Sequence, residues 1–146
     1  MTYETMVPEL LERLPALGPA YVAMHLDDKE HLPTVVMGAI LLPALERALD
    51  EQNLAPILKI CAFLEDAAIA AQDDPRLESL LKTEVGVWLN WAANEDLLAP
   101  WLGTETKRLC GYVPGLATQR LTSNEPSVTQ SFTSRIAAFV QQLRSK

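Results

Sequence analysis

NLAPILKICAFLEDAAIAAQDDP, residues 53–75, decides the fold. Asn53 is a good N-cap, and Leu54, Ile57, Leu58, Cys61, Leu64, Ala68 and Ala71 recur at the 3.6-residue helical period. Ile60, Phe63 and Ala67 lie on the other side of the same turn sequence, so this helix is apolar nearly all round and is expected to be central. Asp74-Pro75 then starts another helix, because proline is tolerated in a first turn whose N–H groups lack intrahelical partners. That helix is expected to run to about Ala93, with no charge from Val85 onward.

Working outward, the same signals recur. Met6 to Leu14 can form a short helix with Pro8 in its first turn, and Pro15 stops it. Gly18 to Lys29 reads as a second helix and Pro33 to about Asp50 as a third. Pro43 lies inside that third helix and should either kink it or split it in two. Beyond Ala93, Asp96 can cap a short helix containing Leu98 and Trp101, with a turn at Gly103 and a further helical segment to Cys110. Residues 112–126 are rich in Pro, Gly, Ser, Thr and Asn, an irregular connection. Residues 127–144 are expected to form a last helix: Ser127 and Gln130 have capping-box spacing, and Val128, Phe132, Ile136, Phe139, Val140 and Leu143 make an apolar stripe that should dock. Sustained period-2 alternation and Asn-Gly or Asp-Gly turns are missing, so strands are not expected.

The chain also resembles itself. At an offset of 44 residues Leu45, Ala48, Glu51, Leu54, Ala55, Pro56 and Leu58 align with Leu89, Ala92, Glu95, Leu98, Ala99, Pro100 and Leu102. A period of about 40–47 residues holding two helices is the mark of HEAT and armadillo arrays. Residues 1–146 are therefore read as one all-α domain of about six to eight helices, either a HEAT-like stack of helical hairpins or an irregular helical bundle. In the stacked arrangement Asp50–Glu51 and Glu95–Asp96 share one rim as an acidic ridge, with Asp27–Asp28 and Asp73–Asp74 on the other. Charges also collect at solvated turns, and Asp74 and Asp96 serve as caps in any arrangement.

Apolar residues make up 49% of the chain and charged ones 21%, the balance of a globular protein. A net charge of -7 argues against a sequence-independent grip on nucleic acid or an anionic membrane, both of which need clustered Lys and Arg, and favours a basic protein partner. The first fifteen residues carry acids and no basic segment before an apolar core, and the longest uncharged run, Leu32 to Leu45, is shorter than the ~20 residues of a membrane span. A cytoplasmic location is expected. Cys61 and Cys110, isolated among apolar neighbours, read as buried thiols.

Chemistry-bearing clusters are few. Met24 to His31 gathers His25, Asp27, Asp28, Glu30 and His31, which could bind a metal, but the imidazoles are too far apart along the chain to share a helix face and a solvated turn explains them. Cys110 with either His is the obvious nucleophile–base pair, without neighbours that would lower a thiol pKa. No P-loop, dinucleotide glycine motif, Gly-x-Ser-x-Gly elbow or Cys-x-x-Cys occurs, so no catalytic, cofactor or metal residues are assigned. The binding candidates are Glu84, Trp88 and Trp91 on one helical stripe with Glu95 beyond it, together with Asp50, Glu51 and Asp96. Tryptophans bordered by carboxylates suit a partner offering Arg, through charge and cation–π contact; core packing is the competing reading, for Trp101 above all.

The run LLPALERALDEQNLAPILKICAFLEDAAIAAQDDPRLESLLKTEVGVWL, within Leu41 to about Leu109, resembles a bacterial family of small helical domains. Related small acidic proteins include candidate immunity proteins encoded beside secreted antibacterial toxins. The resemblance covers about half of the chain and leaves out the helix from Ser127. It implies a non-enzymatic protein that binds and neutralises a cognate toxin. A helical adaptor recognising a host protein segment, and a metal-dependent or thiol enzyme, are the alternatives.

Overall fold

The computed structural model describes residues 1–24, 33–89 and 97–112, and among them it contains helices and no strand. The helices are α1 (Met6–Arg13), α2 (Gly18–Ala23), α3 (Pro33–Val36), α4 (Leu42–Asp50), α5 (Leu54–Ala70), α6 (Pro75–Leu80), α7 (Val87–Leu89) and α8 (Thr104–Leu109). A 3-10 turn, Pro15–Leu17, joins α1 to α2. A π-helical turn, Met37–Leu41, makes α3 and α4 one continuous run, and a second, Leu81–Gly86, does the same for α6 and α7. Counted as continuous runs there are six helices among the described residues, an all-α bundle as expected.

Pro43 neither splits its helix nor ends it. It occupies the first turn of α4 directly after the π turn, where the widened ladder has already displaced the hydrogen bond that proline cannot donate. The second π turn begins 44 residues after the first, the offset at which the sequence repeats. Burial, however, differs between the aligned copies: Leu54 and Leu58 are exposed whereas Leu98 and Leu102 are buried. The expected second helix is shorter than its pattern, with α2 ending at Ala23 and residues 25–32, which hold the His25–His31 segment and Asp27–Asp28, lying outside the described residues. Trp91, Glu95, Asp96 and the proposed connection and final helix of residues 113–144 lie outside them too.

The core is built around α5, which buries Ile57, Ile60, Cys61, Phe63, Leu64, Ala67 and Ala68. Met6, Val7 and Leu10 of α1, Met37, Ile40 and Leu41 of the first π turn, Leu45 of α4, and Leu77 and Leu81 of the α6 run complete it. At about 25 cal/mol per Å² of apolar surface, each such side chain contributes roughly 1.5–3 kcal/mol. Arg13 ties α1 to α5 by donating to Asp66 at 2.5 Å while its guanidinium lies 5.8 Å from the centre of the Phe63 ring.

Three helix ends are fixed by polar chemistry. Asp74 caps α6 as expected, accepting from Arg76 N at 3.1 Å and Leu77 N at 3.2 Å, and its other oxygen accepts from Tyr3 N at 2.7 Å, which anchors the N-terminal segment. Asn53 stands at the N-cap of α5 without a side-chain cap bond, a departure from its expected role. The preceding corner is closed by backbone instead: Gln52 adopts a left-handed φ of 55°, and Gln52 N and Asn53 N donate to Leu49 O and Ala48 O. The α8 N-terminus is capped from another helix. Glu65 on α5 accepts from Glu105 N at 3.0 Å, Thr106 N at 2.9 Å and the Thr106 hydroxyl at 2.8 Å.

Gly103 permits this approach, since a Cβ there would stand 2.1 Å from the Glu65 carboxyl carbon. Alanine at 103 must expel the carboxylate and so forfeit the cap. Gly103→Ala and Glu65→Ala are therefore each expected to lower stability by about 1–2 kcal/mol, and their combination by little more than either alone. Thermal and urea unfolding of the two single variants and the double variant would measure this; simple additivity would rule out the shared mechanism.

Burial raises the Glu65 pKa, but the N–H bonds from Thr106 and Glu105 and the Thr106 hydroxyl outweigh it and hold the carboxyl below its usual value. A pKa depressed in the folded state contributes stability that is present above the unfolded value, about 4.3, and is lost as pH falls through the folded one. Urea midpoints should accordingly hold steady from neutral pH to about 5 and fall below about 4, with a shallower fall in Glu65→Gln.

Candidate functional site

Two surfaces gather the described candidate residues. The first follows the α6 run. Arg76, Ser79, Leu80, Thr83 and Glu84 lie along one side of it at helical spacing and, with Tyr3 and Thr34, line an open cleft of about 380 Å³. The N-terminal segment reaches this cleft because Asp74 holds Tyr3 N. Arg76 lies over the Tyr3 ring, 4.9 Å from its centre, and is ion-paired with Glu4. Glu84 comes from the second π turn and faces the first, where a Cβ at Gly38 would lie 3.1 Å from its Oε2. The two π turns thus pack together beside the cleft. Such turns lie disproportionately at functional sites, since the extra residue re-aims side chains on either side.

Trp88 is one helical turn beyond Glu84. Its indole N–H donates to Glu46 Oε1 of α4 at 2.6 Å, and the ring is half-buried against the core, so core packing and surface exposure share this residue. Val87 beside it is 53% exposed, whereas Val85 and Leu89 on the same run are buried. Trp101 is likewise partly buried against the core.

The second surface is the α4–α5 corner. Asp50 and Glu51 are exposed at the end of α4, and Leu54 and Leu58, exposed at 48% and 51%, follow on the first turns of α5. Ala62 and Ile69 continue the same side of the helix, with Asp66 next to it. The sequence pattern assigned Leu54 and Leu58 to the core, and the structure corrects this. Periodicity alone cannot separate the inner from the outer face of a helix that is apolar all round. The signal that could have found this surface is the pair of acids immediately before an apolar i, i+4 pair.

Both thiols are shielded from solvent. Cys61 and Cys110 are free and buried, and desolvation pushes each thiol up to about 11. Among the described residues, Cys110 makes a long contact from Sγ to Leu81 O at 4.0 Å. Among the described residues no group of three His, Cys, Asp or Glu side chains could hold a metal ion, and no helix is long and apolar enough to cross a membrane. Comparison with protein-family models, with characterised proteins and with solved structures finds no match to the chain.

The cysteine environment is directly measurable. At neutral pH both thiols are expected to react with a thiol-specific reagent far more slowly in the native protein than after denaturation, with both becoming reactive on unfolding. Rapid native labelling of Cys110 would instead identify an accessible, activated thiol.

Proposed function

We propose that the chain is a non-enzymatic protein-binding protein of the immunity type, which neutralises a cognate bacterial toxin by covering it. The observation that carries the reading is the outer face of α5. This helix is apolar nearly all round, yet Leu54, Leu58 and Ile69 on its outer side remain about half exposed. An exposed apolar stripe of this kind is a common mark of a contact surface. Asp50 and Glu51 flank its N-terminal end, so the patch has an acidic border there. Such a border favours encounter with a basic partner, as does the net charge of -7.

The toxin as partner rests on the resemblance of residues 41–109 to small helical bacterial domains, and action against a toxin within its own cell would place the protein in the cytoplasm. The HEAT-like arrangement belongs to the same proposal and is supported by the recurrence of the π turn at the repeat offset. The two buried, high-pKa thiols weigh against a thiol enzyme.

Affinity-tagged protein presented with the product of a neighbouring gene should capture a single partner. Leu58→Glu and the pair Asp50→Lys with Glu51→Lys should weaken capture by about tenfold or more, the scale of one or two lost interface contacts. Because these side chains are exposed, the unfolding midpoint should hardly move. Failure to capture any protein would refute the function. Unaltered capture by every variant would instead move the contact surface away from the α4–α5 corner.

A further inference from the structure

The cleft between the N-terminal segment, α3 and the α6 run has a charge balance that selects its ligand. Arg76 is already engaged, ion-paired with Glu4 and stacked over Tyr3, which leaves the Glu84 carboxylate in excess. Glu84 is half-buried, and among the described residues no hydrogen-bond or ion-pair partner meets it. The hydroxyls of Thr34, Ser79 and Thr83, each able to accept, line the same cleft, as does Leu80. A cleft with one carboxylate and several hydroxyl acceptors suits a planar group with many donors and an apolar stem.

We infer that this cleft receives the guanidinium group of an arginine from a protein partner, with Glu84 as the ion-pairing residue and Thr83 and Ser79 as supporting acceptors. A guanidinium presents five N–H donors in a rigid fork that fits a carboxylate bidentately, whereas an ammonium offers three donors on a point charge. The arginine stem would lie along Leu80. The carboxylate lies beside Gly38 of the first π turn, where a Cβ would come within 3.1 Å of its Oε2, so glycine leaves room for it there. The choice of a protein as the source of the arginine rests on the protein-binding reading above. The cleft chemistry does not, and the two fail separately.

The test uses the whole chain and N-acetyl-arginine amide as the probe, followed by amide chemical shifts. Saturable shifts at Gly38, Thr83 and Glu84 in the millimolar range are expected, the affinity of a single side chain without the rest of its protein. Glu84→Gln, checked for an unchanged melting curve, should weaken the response about tenfold, a loss of about 1.4 kcal/mol. Thr83→Val should weaken it less, and N-acetyl-lysine amide should bind more weakly than the arginine compound. No saturable shift in the native protein, an undiminished response in Glu84→Gln, or an equal response to lysine would each overturn the inference. Because the probe replaces the partner, any of these results would leave capture through the α4–α5 corner standing.

Discussion

The Glu65 carboxylate is the interaction on which the described fold depends. It sits on the central helix and satisfies the N-terminal N–H groups of a helix 40 residues away in sequence, so a local requirement of α8 is met by a tertiary contact. The only backbone that lets the carboxylate come so close is a glycine, Gly103. Once α8 is held there, its far end brings Cys110 against Gly86 and Leu81 of the second π turn. A single carboxylate therefore joins α5, α8 and the α6 run. Its energetic worth is modest, about that of a helix cap, but it fixes a direction that apolar packing alone leaves free.

The π turns play a related part. Each adds a residue to the ladder of a long helix, one beside Pro43 and the other beneath Glu84, and they meet where Gly38 faces Glu84. The first absorbs a proline that would otherwise strain its helix. The second turns Glu84 and Thr83 toward the cleft. Asp74 couples this region to the N-terminus, since one carboxylate caps α6 and also holds Tyr3 N. Hydrogen bonds from Tyr3 N, then Leu77 N and Arg76 N, keep the Asp74 pKa below its ordinary value against the opposing effect of burial.

The two candidate surfaces have different characters. The α4–α5 corner is apolar at its centre and acidic at its edge, turned by Gln52 in the left-handed region, where a residue with a Cβ is held at some energetic cost. The cleft is small and lined by polar and apolar side chains from three segments.

The all-α class, the Asp74 cap, the start of a helix at Leu54 and the buried cysteines were legible in the sequence, because helix periodicity and proline placement are local properties that survive in any packing. The sequence also marked Glu84, Trp88, Asp50 and Glu51 by residue type. It could not say which side of α5 faces outward, since a helix apolar all round carries no phase in its pattern, nor that Trp88 would give its N–H to Glu46. Glu65 reads in sequence as one more acid in a helix, and Gly103 as a turn. Only the tertiary structure joined them, because a cap supplied across 40 residues of chain leaves no spacing by which to recognise it.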